Sequence, residues 1–329
     1  MNDEVRQRTR SLAAEGEWEW LRESLGEIER PSVAADPILA YAFGEALYHT
    51  GRMRELAAFA QEYEETARAA ADPRETMRAL NLRGIAAFEL GEMEDSHQSF
   101  DTLMELAEAE GDEEMLARAA NNLGAIANLR GRRHEAIAYY SLAIPIYQKL
   151  NQARGLAQTH HNLGLSYRDL GRPDDSAAAY SRAISLAEGI SYPLVVAMST
   201  VGRAEIELQR GDVELSRRLV DRGLTLSRGV PDPISEAEAL RVRGLAKARQ
   251  AGSAESRAQA DLEAALLLAR DTGNRLLEAE INRDMGRLAL ERGESSEAAQ
   301  LLESSLRGFH TIGAAAEARV VEKELAAVA

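Results

Sequence analysis

Apolar residues recur at three- and four-residue spacing along almost the whole chain, the mark of helices that bury one face. In NLGAIANLRG (122–131) and NLGLSYRDLG (162–171) such a run stops at a glycine. A second run of the same kind then begins, as HEAIAYYSLAI from His134 and DSAAAYSRAISLA from Asp175. The stopping glycines stand at 51, 91, 131, 171, 211, 252 and 293, at intervals of 40 or 41 residues. A second set, at 44, 84, 124, 164, 202, 244 and 286, lies seven to nine residues earlier. The pattern predicts helix, glycine turn, helix and short link, repeated seven times. Gly16, in AAEGEWEWL, is expected to turn an eighth, shorter hairpin.

The two sets of glycines have different causes. The earlier one sits inside a helix, where it costs about 1 kcal/mol relative to alanine, so a neighbouring helix must need the space of the missing Cβ. The later one ends a helix, where the left-handed conformation is cheap for glycine. Pro37, Pro73, Pro173 and Pro233 fall at expected helix starts, and Asp36, Asp72 and Asp232 precede three of them as expected N-caps. Pro145 falls deep in a second helix and is expected to kink it. No stretch alternates apolar and polar residues for long, so strands are not expected. The fold class is all-α, a solenoid of seven to eight helical hairpins with a C-terminal capping helix. No linker or low-complexity tract interrupts it. One domain over 1–329 is expected: an N-terminal hairpin in 1–35, seven repeats in 36–312, and a cap in 313–329 whose Glu and Lys residues face solvent. Between 195 and 260 the register is open, since either Gly202 or Ala204 can serve as the in-helix small residue.

Composition narrows the function classes. The 329 residues carry 39 Lys and Arg against 54 Asp and Glu, a net charge of -15, which argues against nucleic acid or an anionic membrane as partner. With no cysteine there is neither a disulfide framework nor a thiolate metal site. The charged start MNDEVRQRTR is not a secretion signal, and no apolar run of about 18 residues exists to span a bilayer. A cytoplasmic protein is expected. Aromatic residues make up 5%, so the core is built from Ala and Leu.

The first-helix Leu-Gly, an apolar residue three further on, and Ala with an aromatic in the second helix resemble the tetratricopeptide repeat. The best matches are Leu163, Gly164, Tyr167, Gly171, Ala177 and Tyr180, then Leu123, Gly124, Gly131, Ala136, Tyr140 and Ala143. The period is 40 where 34 is commonest, and the closing proline is missing. Forty-residue forms are found in kinesin light chains, in adaptors of G-protein regulatory peptides, and in bacterial peptide- or sugar-sensing regulators. The resemblance implies a right-handed α–α superhelix with first helices lining a concave peptide groove. It places on that groove Asn81, Asn121 and Asn122, His161 and Asn162, Arg241 and Arg283. One turn away stand Arg78, Arg118, Asn128 and Arg168, with Arg203 on the same strip.

An amide carries donor and acceptor together and so can hold a peptide backbone; by resemblance that role falls to Asn122 and Asn162, and less directly to Asn81 and Asn121. The alternative is that these amides cap or bridge helices. A stripe of Arg78, Arg118, Arg168, Arg203, Arg241, Arg283 and Arg287 inside an acidic molecule would attract an acidic or C-terminal peptide segment. The alternative is that they pair with Glu205, Glu238, Glu280 and Asp284, which share the later repeats, or along their own helices. His160 and His161 are adjacent on a helix and lack further ligands, so no metal and no cofactor are expected. No phosphate-loop, dinucleotide, serine-hydrolase or zinc-protease string occurs. The expected function is a non-enzymatic scaffold binding an extended peptide or partner segment. The alternative is a sensor domain that binds a small signal molecule or signalling oligopeptide and changes its superhelical pitch. Self-association is left open, as is whether the C-terminal helix itself fills the groove.

Overall fold

Aspartate and proline set the helix starts as expected. Asp36 accepts from the backbone N–H groups of Ile38 (3.1 Å) and Leu39 (3.4 Å) ahead of Pro37, and Asp72 from those of Arg74 and Glu75 (both 3.1 Å) ahead of Pro73. Asp232 caps through Ser235 (3.2 Å). These contacts satisfy N–H groups that the first turn of a helix leaves without partners. They belong to a computed structural model that describes residues 3–230, 232–250 and 255–327. All eighteen elements among the described residues are helices.

The chain divides into two compact units, Met1–Ile126 and Ala127–Ala329. The first contains α1 (Asp3–Glu15), α2 (Trp18–Gly26), α3 (Arg30–Ala34), α4 (Pro37–His49), α5 (Met53–Ala69), α6 (Pro73–Leu90), α7 (Met93–Glu110) and most of α8 (Glu113–Leu129). The expected N-terminal hairpin is present as α1 and α2, with the one-turn helix α3 added before the first full repeat. Its core joins Leu21, Leu25, Val33, Leu39, Phe43, Leu47, Leu56 and Phe59. Trp18 stacks on His49 with ring centroids 4.3 Å apart, while Trp20 is 61% exposed, so the two tryptophans face opposite ways.

The second unit contains α9 (Arg133–Lys149), α10 (Ala153–Asp169), α11 (Pro173–Gly189), α12 (Pro193–Gln209), α13 (Val213–Ser227), α14 (Pro233–Ala248), α15 (Glu255–Asp271), α16 (Arg275–Glu291), α17 (Ser295–Thr311) and α18 (Ala315–Ala326). Pro145 lies inside α9 without ending it. The helices pair as α10 with α11, α12 with α13, α14 with α15, and α16 with α17. The first helices α10, α12, α14 and α16 also touch one another in order. They therefore form one wall.

What the in-helix glycines make room for is visible at Tyr180 of α11. A Cβ on Gly164 would lie 2.7 Å from its ring, and one on Gly202 would lie 2.5 Å from it. One buried aromatic is thus wedged between the glycines of α10 and α12, and sets how closely these helices approach. The contact also resolves the register near 200: Gly202, not Ala204, is the small residue at that approach. At the ends of first helices, Gly171 (φ 67) and Gly211 (φ 87) take the left-handed conformation expected of them. The turn expected at Gly252 lies outside the described residues.

The capping helix departs from expectation. Its apolar face, with Ala318 and Val321, packs on Leu302 and Phe309. Glu322 and Lys323 face solvent as expected, but Glu317 and Glu324 do not. Glu317 accepts from Arg133 at the start of α9, and Glu324 accepts from Arg287 of α16 through Nε (2.9 Å) and Nη2 (2.6 Å). Ala316 lies beside Gly131, where a Cβ on the glycine would be 3.1 Å from it. The last helix of this unit therefore returns to its first turn.

Candidate functional site

The wall formed by α10, α12, α14 and α16 borders a cavity of 580 Å³. Its lining includes Arg168 and Asp169 from α10, Glu205 from α12, Leu245 from α14, and Glu280, Arg283, Asp284 and Arg287 from α16. Glu317 and Glu324 of α18 complete it. A volume in the range of roughly 300–1,000 Å³ is that of small-ligand pockets. Charged residues reach this interior because α10, α12 and α16 turn toward it faces that carry Arg, Glu and Asp.

The charges are ordered into a ladder. Arg168 Nη1 donates to Glu205 Oε2 (2.8 Å), and its Nε donates to Asp169 Oδ1 (2.9 Å). Arg241 Nη2 donates to Glu205 Oε1 (2.9 Å), and Arg241 Nη1 donates to Asp284 Oδ2 (2.6 Å). Four adjacent helices are thereby joined by one line of carboxylate–guanidinium bonds. Arg241 is 4% exposed, and its charge is tolerated there because both partners are in hydrogen-bond contact. Burial would raise the Glu205 carboxyl, but Arg241 and Arg168 outweigh it and hold it at about 2. Glu238 behaves oppositely. Burial pushes it up to about 7, Glu280 and Glu205 add to the rise, and Arg241 and Arg168 only partly oppose it. Burial raises Glu280 as well.

The residues singled out from the sequence are distributed as follows. In the second unit Arg168 and Arg283 line the cavity, and Arg241 joins two of its lining carboxylates. Asn162 is half-buried on α10, and Asn128 accepts from Ser166 Oγ (2.8 Å). His161 is buried, with Nδ1 3.0 Å from Ser199 Oγ, and burial together with Arg168 lowers it to about 4. It is a packed, neutral histidine and is not presented to the cavity. Arg203 is directed at α11, towards Ser181, and donates to Glu207 (2.7 Å). In the first unit Arg78 pairs with Glu75 (2.8 Å) and lies over the Tyr41 ring at 5.1 Å. Arg118 pairs with Glu114 (2.8 Å). Asn81 and Asn121 are buried on their helices, and Asn122 is half-buried. Arg168 and Arg241 are thus neutralised by Asp169, Glu205 and Asp284, and the cavity is of mixed charge. Glu317 and Glu324 are the lining residues that sequence reasoning placed in solvent.

Residues 115–189 and 161–231 match two profiles of the tetratricopeptide repeat. Residues 115–231 are tetratricopeptide repeats. No protein of curated function matches the sequence. Among solved structures, the Rap conjugation gene regulator of the plasmid pLS20, in complex with a Phr peptide, is 14% identical. The alignment covers 86% of this chain and 77% of that one, with a TM-score of 0.68. The quorum sensor NprR in complex with its cognate peptide NprX is 11% identical, with 98% of each chain covered and a TM-score of 0.62. Aspartyl phosphate phosphatase F from Bacillus subtilis is 14% identical over 84% of this chain and 72% of that one, with a TM-score of 0.68. At these identities the likeness is one of tetratricopeptide fold. Among the described residues no helix is long and apolar enough to cross a membrane, and no group of three His, Cys, Asp or Glu could hold a metal ion.

Proposed function

We propose that the protein is a non-enzymatic receptor for an extended peptide or partner segment, which its second unit takes into the cavity walled by α10, α12, α14 and α16. The observation that carries this reading is the cavity itself: 580 Å³, lined by charged side chains already held in place by the Arg168–Glu205–Arg241–Asp284 ladder. Such a wall recognises polar groups without reorganising, which is what binding with orientation requires. Two of the similar structures are complexes with peptides, which supports the same ligand class. One is of a phosphatase; binding without catalysis is preferred here because the carboxylates of the ladder are committed to arginines. Asn162 is the proposed backbone clamp on α10, and in the first unit Asn122 is proposed for the same work, supported by Arg78, Arg118, Asn81 and Asn121. A cytoplasmic location is part of the proposal, in keeping with a charged chain free of cysteine.

A second reading is favoured by α18. A helix that closes the cavity through Glu317 and Glu324 gives ligand binding something to move, so the domain is also suited to sensing a signalling oligopeptide by a change of pitch. Selection from a random oligopeptide library, read by native mass spectrometry, tests the first reading. The wild type should retain peptides and Asn162→Ala should retain fewer; retention of none by the wild type refutes it. Small-angle scattering with a retained peptide tests the second, which requires compaction.

A further inference from the structure

Arg287 holds the last helix through a single carboxylate oxygen. Its Nε (2.9 Å) and Nη2 (2.6 Å) both donate to Glu324 Oε1, while Glu324 Oε2 is enclosed and has no donor among the described residues. Glu317 repeats the arrangement near the start of α18: Oε1 accepts from Arg133, and Oε2 is enclosed without a donor. A carboxylate set squarely against a guanidinium takes two parallel bonds, one to each oxygen. An enclosed oxygen left without a donor costs free energy, so a better-placed carboxylate can displace either clasp. Arg283 stands one turn before Arg287 on α16 and lines the same cavity. Its guanidinium lies over the Phe309 ring, 5.6 Å from the centroid, and has no hydrogen-bonded carboxylate among the described residues. The Asp284 Oδ1 atom is 3.9 Å from its Nε, and Asp284 is already bonded to Arg241 through Oδ2. Glu280, one turn earlier and also on the cavity, is pushed towards its neutral form by burial. Side chains four apart on a helix lie side by side, about 5–6 Å between Cβ atoms, so Arg283 and Arg287 can converge on one group.

We infer that Arg283 and Arg287 form a carboxylate-receiving subsite of the cavity, in which a carboxylate of the bound peptide takes the place Glu324 now holds and so releases α18. The inference rests on the peptide-receptor reading; it names the group that the cavity selects and the step by which selection loosens the last helix. The guest gains a second cation in Arg283, with which Glu324 makes no ion pair among the described residues. Glu324, whose side chain is already 24% exposed, goes to water. The net charge of -15 repels anionic guests at long range, so a preference for them is made by the subsite and not by bulk attraction.

The test uses the full chain and three mixtures of N-acetylated pentapeptides, random in uncharged residues except at one fixed position. The first mixture is amidated with Glu fixed, the second amidated with Gln fixed, and the third has Gln fixed and a free C-terminus. Retention is measured by native mass spectrometry at pH 7. The wild type is expected to favour the first or the third over the second by about tenfold; the first assigns a side-chain carboxylate, the third the terminal one. Hydrogen exchange in α18 should quicken with the most retained acidic peptide and not with its neutral counterpart. Arg283→Met, with its fold checked by circular dichroism, should retain the three mixtures alike. Glu324→Gln removes the competing charge and should retain the acidic mixture several-fold more than the wild type does, an increase that a merely structural Glu324 would not give. Equal retention of all three mixtures by the wild type overturns the subsite and leaves the peptide reading standing. So does a preference that survives Arg283→Met, or one that Glu324→Gln fails to raise. Retention of no mixture by the wild type overturns both.

Discussion

Arg241 is where the electrostatics of the second unit can be tested most directly. Replacing it by Met keeps much of the stem's volume, takes from Asp284 its hydrogen-bonded guanidinium and leaves Glu205 with Arg168 alone. Breaking a buried pair by removing one partner typically costs about 3–5 kcal/mol, because the other charge stays buried and unpaired. The pH linkage gives a similar figure independently. Held at about 2 against an ordinary 4.5, Glu205 contributes on the order of 3 kcal/mol. Its folded-state value is depressed, so that stability is present above pH 4.5 and is lost as pH falls toward 2. Arg241→Met should therefore destabilise by about 3–5 kcal/mol at pH 7, and since Arg168 still holds Glu205 the variant should lose part of the wild type's acid-side slope. Urea unfolding followed by circular dichroism measures this, with hydrogen exchange in α14 to localise it. Fluorescence is unsuitable, since Trp18 and Trp20 both lie in the first unit. The control is Arg241→Met/Glu205→Gln/Asp284→Asn, which removes the orphaned charges and should recover most of the loss. If the triple variant is as unstable as the single one, the effect is packing and the electrostatic argument fails.

Other expectations follow from the same contacts. Gly202→Ala drives a Cβ into the Tyr180 ring and should cost about 1–3 kcal/mol, seen as a lower Tm; an unchanged Tm would mean that α11 gives way freely. Glu238→Gln should make the protein more stable above neutral pH. Its folded-state value is raised to about 7 from 4.5, so the wild type's stability declines as pH climbs between the two, and melts from pH 5 to 8 should show the variant without that decline. Glu317→Ala frees Arg133 and should speed hydrogen exchange in α18 tenfold or more, with α12 and α14 little changed; unchanged exchange in α18 would show that its apolar face alone holds it.

The fold was largely legible because its cues are local. The forty-residue glycine period, the Asp-Pro starts and the Ala-rich faces each act within one hairpin, and Asp36, Asp72, Gly171 and Gly211 do in the structure what their chemistry implies. The cavity was legible only in part. Arg168 and Arg241 could be placed on first helices from spacing, but their partners lie 36 to 43 residues away, on helices whose rotation decides who meets whom. Arg203 shows the limit: it shares the expected strip yet turns to Ser181 of the second helix. Glu317 and Glu324 were placed in solvent because nothing local distinguishes a carboxylate facing water from one returning to Arg133, 184 residues earlier.

The return of α18 bears on how fast anything can come and go. The helix begins just after Gly313, whose φ of 73 gives it a pivot, and its grip at both ends is ionic. A guest larger than the remaining aperture exchanges no faster than this door swings. Its observed association rate should therefore level off at high guest concentration, its residence time should be long, and added salt should shorten that time by weakening the two clasps.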